Sequence, residues 1–131
     1  MPVQISSYLK KVLIADAVVS GAAGVAMMAG STFLPNLLGL PAELLLWAGA
    51  ALVPFVAVLA LMIRARSVPA GIVVAIIAVN IAWVVASLFV AFGPAFASTL
   101  FGKVFVVAQA ATVALFAELQ IIGLRRTRAM V

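Results

Sequence analysis

Four stretches of this sequence are long and apolar enough to cross a bilayer as helices, and they leave room for little else. A helix needs about 17 to 25 apolar residues to traverse roughly 30 Å of hydrocarbon. Such stretches run over 12–34, 44–63, 69–92 and 104–124 of the 131 residues. They predict an all-α integral membrane protein: a single four-span transmembrane domain over 1–131, with the helices in an up-and-down bundle. The connections are short and carry the expected breakers: Pro35 and Pro41 in PNLLGLPAE, the RARSV segment from Arg64, then Gly93, Pro94 and Gly102. A β-barrel would need segments of about ten residues that alternate apolar and polar, and these are continuously apolar.

Composition closes the soluble alternative. The chain is 68% hydrophobic and 8% charged, whereas soluble domains sit near 45–50% and about 25%. A water-soluble fold of this size cannot bury that much apolar surface. The absence of Cys and His removes disulfides, thiol nucleophiles, imidazole bases and the usual zinc and haem ligands.

Orientation follows from the basic residues. Lys10, Lys11, Arg64, Arg66, Arg125, Arg126 and Arg128 fall on one side of the four spans, and Lys103 alone on the other. Positive charge near span ends is retained in the cytoplasm, so both termini are expected there. The net charge of +5 then faces anionic headgroups, at roughly 1 kcal/mol of attraction per basic residue, and calls for no nucleic-acid partner. The first apolar run exceeds the roughly 7–15 residues of a signal core, which predicts an uncleaved helix. Ser6 or Ser7 can cap it, and Tyr8 and Trp47 are placed as interfacial aromatics. The short, alanine-rich, cysteine-free chain points to the plasma (inner) membrane of a bacterium.

Helices in lipid associate through close packing, which small residues allow. Asp16, Ser20 and Gly24 recur at i, i+4 and i+8, and so share one stripe of span one. Ser20 and Gly24 are the expected close-packing pair. Asn80, Trp83 and Ser87 lie on one face of span three, and Gln109, Thr112 and Phe116 on one face of span four. Depth pairs Asn80 with Thr112 and Ser87 with Gln109 as interhelical hydrogen bonds.

Three acids are present, Asp16, Glu43 and Glu118. Glu43 opens span two, where it complements the helix dipole. Asp16 and Glu118 lie inside their spans and are the candidate intramembrane acids, costly enough to require partners. The expected partners are the basic rim: Lys10, Lys11 or Arg64 for Asp16, and a C-terminal arginine for Glu118. Glu118 lies half a turn from Gln109 and so marks a second contact surface. Trp83, Phe89 and Phe116 predict ordinary packing rather than a bound lipid, quinone or pigment, and no cofactor is expected.

These features point first to a non-enzymatic membrane protein acting by helix association, as a homo-oligomer or an accessory subunit of a membrane complex. The alternative is a small proton-coupled transporter or channel that uses Asp16. Four spans in about 130 residues are comparable with the small multidrug exporters. The third span (NIAWVVAS) and the seven-to-one basic bias depart from them, so no family is assigned. Catalysis finds no nucleophile beside a base.

Overall fold

The computed structural model describes residues 2–94, 96 and 98–129, leaving out the side chains of residues 2 and 127–129. Among the described residues the chain runs β1 (Pro2–Gln4), α1 (Ser7–Ala29), α2 (Leu34–Leu38), α3 (Ala42–Arg64), β2 (Ser67–Pro69), α4 (Ala70–Phe92) and α5 (Leu100–Ala129). The helices α1, α3, α4 and α5 are each long and apolar enough to cross a membrane. No more than a third of each span is buried inside the protein. Most of its apolar surface must therefore meet hydrocarbon.

The helix ends follow local chemistry more closely than hydropathy does. Ser6 caps α1 by accepting the Leu9 N–H at 3.1 Å, so the helix begins five residues before the apolar stretch and carries Lys10 and Lys11 on its first turns. It stops at Ala29 rather than residue 34, because Gly30 caps it and Pro35 starts the separate short helix α2. Glu43 sits in the first turn of α3 and Arg64 in its last, each complementing the dipole at its end. Thr99 Oγ1 accepts the Gly102 N–H at 3.0 Å, so α5 starts near residue 100 rather than 104.

Antiparallel pairs form from α1 with α3 and from α4 with α5, and the pairs meet where α1 packs on α5. The α1–α3 contact depends on glycine. A Cβ on Gly49 would lie 2.7 Å from Met28 Cγ and 2.9 Å from the Gly24 carbonyl oxygen, so the two backbones approach as only small residues permit. By contrast α3 and α4 barely touch, and an apolar cleft of about 410 Å³ opens between them beside Pro54.

The two pairs are also tied at both ends by their connections. At the end holding the termini, β1 pairs antiparallel with β2, setting Val3 opposite Val68, and both side chains are buried. The Ile5 N–H continues the tie to the Arg66 carbonyl at 2.9 Å. At the far end Thr99 donates its N–H to Leu38 O at 3.1 Å and its hydroxyl to Leu37 O at 2.8 Å. The segment before span one is therefore a paired strand. These ties give otherwise unpaired backbone groups partners where the chain leaves the helices.

The apolar core falls into two clusters. One gathers Leu9, Leu13, Leu59, Met62, Ile76 and Leu124 toward the end with the termini; the other gathers Met27, Leu38, Leu45, Leu52, Ala91 and Val106 toward the far end. Along α1, α4 and α5 a polar residue separates the two.

Candidate functional site

That polar layer centres on Asp16, which is completely buried. It lies nine residues into α1, about 14 Å along the axis at 1.5 Å per residue. Asn80 lies ten residues, about 15 Å, into α4. Asp16 Oδ1 accepts from the Ser20 hydroxyl at 2.9 Å. Its Oδ2 accepts from Asn80 Nδ2 at 3.1 Å and from Gln120 Nε2 at 2.7 Å. Asn80 Nδ2 also donates to Gln120 Oε1 at 2.9 Å, closing a ring of carboxylate and two amides across α1, α4 and α5. All three bonds to Asp16 run from a hydroxyl or amide donor to a carboxyl oxygen. Low dielectric around the ring strengthens each bond and makes any missing partner costly.

Local sequence explains how the ring is assembled. Ser20 follows Asp16 by one turn and faces it on the same stripe. At the other end of that stripe Gly24 packs on Gly49, which draws α3 in, while Asp16 reaches α4 and α5. Asn80 interrupts the long apolar run of α4, where any other polar group of the layer is the only partner available.

Several sequence expectations change here. Asp16 takes its partners from amides and a hydroxyl, not from Lys10, Lys11 or Arg64, all of which are exposed. Asn80 meets Gln120 instead of Thr112, because the α4–α5 register brings a residue two turns further along α5 opposite it. Thr112 donates to the Ala108 carbonyl at 2.9 Å and Ser87 to the Trp83 carbonyl at 2.7 Å, each satisfying its hydroxyl within its own helix. Gln109 does not bond Ser87 and instead lines two cavities. Glu118 is exposed on another side of α5 and forms no ion pair with a described arginine. Of the basic rim, Arg66 and Arg125 are exposed, Arg126 lies 4.7 Å from the Tyr8 ring centroid, and the Arg128 side chain is outside the described residues. Lys103, at the other end, donates to Ser98 O at 3.1 Å and to Ser98 Oγ at 3.0 Å.

The member that the sequence reading missed is Gln120. It lies eleven residues after Gln109, three helical turns and about 20° away, so the two share a stripe of α5. That spacing was the available signal.

Beside the ring lies a cavity of about 100 Å³ whose walls include Ser20, Phe55, Asn80, Trp83 and Gln109. A second, of about 150 Å³, lies toward the far end, with Met27, Leu45, Trp83, Ser87, Phe105 and Gln109 in its walls. Trp83 Nε1 is buried and has no hydrogen-bond partner among the described residues. Among the described residues no three acidic, histidine or cysteine side chains gather as a metal site would require. In comparison with known proteins, no family model, curated protein or solved structure matches the chain.

Proposed function

We propose that this four-span protein sits in the plasma membrane of a bacterium with both termini cytoplasmic and acts by association, as a homo-oligomer or as a subunit of a larger membrane complex. The orientation rests on the exposed basic residues at the end of the helices that holds the termini. The observation that carries association is the position of Glu118. It precedes Arg125 by seven residues, about 10 Å along α5, and it is exposed. The internal ring already satisfies Asp16, Ser20, Asn80 and Gln120, so those residues are glue within one chain and not between chains. A carboxylate turned toward hydrocarbon costs on the order of 2.5 to 3.5 kcal/mol at mid-span and less near an end, and a donor on a neighbouring protein removes that cost.

The chain has no cysteine, so Leu115→Cys, one turn from Glu118 and itself exposed, introduces a single thiol on that flank. In liposomes at low protein density it is expected to form disulfide dimers or to cross-link to a co-purifying subunit. Adding Glu118→Gln should reduce that yield severalfold. Equal yields with and without Glu118→Gln would remove the basis for this reading.

One observation favours the transporter reading: the smaller cavity touches Ser20 and Asn80, two of the three partners of Asp16. Liposomes on a solid-supported membrane, given a proton gradient and a panel of hydrophobic cations, test it. Currents that Asp16→Asn abolishes would support it, and currents that survive Asp16→Asn would deny Asp16 the coupling role.

A further inference from the structure

Trp83 and Gln109 are half-buried polar side chains that line the same two cavities. The indole Nε1 is buried without an acceptor, and the Gln109 amide makes no hydrogen bond among the described residues. An indole N–H is a donor and nothing else, and in a membrane interior a donor without an acceptor is unfavourable. Both residues stand in the wall shared by the cavities of about 100 and 150 Å³. The smaller cavity also shares Ala51, Phe55 and Val79 with the cleft between α3 and α4. The smaller cavity therefore lies next to the α3–α4 cleft, and the larger one lies on the other side of Trp83 and Gln109.

The walls define what fits. Neither cavity is lined by a lysine, an arginine or a carboxylate, which disfavours a charged ligand. Apart from Trp83, Gln109, Ser20, Asn80 and Ser87 the lining is apolar. An apolar cavity of about 150 Å³ admits a benzene-sized ring. An acceptor on that ring would satisfy the indole N–H, and the smaller cavity, next to the α3–α4 cleft, is lined for an apolar tail.

We propose that the cavities flanking Trp83 bind a membrane-soluble, uncharged ring that carries carbonyl oxygens on an apolar tail, the chemistry of a quinone lipid, admitted between α3 and α4. Trp83 Nε1 donates to one carbonyl oxygen, and the Gln109 amide provides a second donor. This site is separate from the Glu118 flank and does not depend on association.

The protein has only two tryptophans, which makes the test direct. Trp47 is 76% exposed on α3 and serves as the internal reference. Nitrogen-15-labelled protein in lipid nanodiscs is titrated with decylubiquinone and, separately, with decylbenzene, which has a ring and tail but no acceptor. The Trp83 indole N–H resonance is expected to move downfield with decylubiquinone and to saturate near one equivalent per chain, while Trp47 stays in place. Trp83→Phe should still fold, with at most a modest drop in melting temperature, and bind decylubiquinone about tenfold more weakly, as loss of one hydrogen bond implies. Matching, non-saturating shifts of both indoles would indicate bulk partitioning and overturn the proposal. So would an equal response to decylbenzene, no response at all, or unchanged affinity in Trp83→Phe.

Discussion

Replacing Asp16 with alanine is expected to destabilise the fold by roughly 2 to 3 kcal/mol, measured as the shift in unfolding free energy in mixed micelles. One carboxylate accepts from Ser20, Asn80 and Gln120, so a single truncation removes the acceptor of three buried donors. A single interhelical hydrogen bond in a membrane is worth about 0.6 kcal/mol on average, and the expected loss is larger because two of them and the Ser20 bond within α1 share this acceptor. Asn80 keeps part of its satisfaction through Gln120 Oε1, which limits the effect. Asp16→Asn should be much milder, within about 1 kcal/mol, because its amide oxygen still accepts from Asn80 and Gln120 while Ser20 turns from donor to acceptor. Replacing Asp16, Asn80 and Gln120 together by leucine should recover most of the loss, since Ser20 alone remains of the network and its hydroxyl can turn to the backbone carbonyl of residue 16, one turn earlier. If Asp16→Ala unfolds like the wild type, the ring does not hold the two helix pairs together.

Much of this arrangement is legible in the sequence. Four spans follow from apolar length, and the stripe of Asp16, Ser20 and Gly24 follows from a four-residue spacing that any helix enforces. The structure places Gly24 against Gly49 and turns the polar end of the stripe inward. The partner of Asp16 was not legible, for a physical reason. Hydropathy places a residue by depth, whereas the α4–α5 register is set by packing, and a shift of two turns replaces Thr112 with Gln120 opposite Asn80. Lysine and arginine near an acid suggest an ion pair, but they remain exposed at the rim, and amides already within the layer reach the carboxylate instead. The strand pair was equally hidden. Three residues on each side, PVQ and SVP, are too few to show a period of two, and their pairing joins segments that are distant in the chain. The same holds for α2, whose five residues begin at the last residue of the first apolar stretch and lie mostly in the proline-marked connection after it.

The far-end tie between the helix pairs is the second place where a small change should have a large effect. Gly102 is buried in the first turn of α5 against the backbone of α2, and a Cβ there would overlap the Leu38 carbonyl oxygen. The obstruction is backbone, so no rotamer change relieves it, and α2 must move away from α5. That movement strains the Thr99 bonds to Leu38 O and Leu37 O and begins to expose Leu38, which is fully buried. Overpacking costs typically about 1 to 3 kcal/mol and each lost hydrogen bond about 1, against a gain of about 1 for alanine over glycine in a helix. Gly102→Ala is therefore expected to lose roughly 2 to 4 kcal/mol in the same unfolding measurement. Gly21→Ala is the matched control. A Cβ at Gly21 meets nothing within 4 Å, so the helical preference for alanine should leave that variant neutral or more stable by up to about 1 kcal/mol. Equal stability of the two variants would mean that α2 yields freely to a side chain at residue 102. The α1–α5 contact, the polar ring and the β1–β2 strand pair would then hold the helix pairs together without help from the Leu38–Thr99 tie.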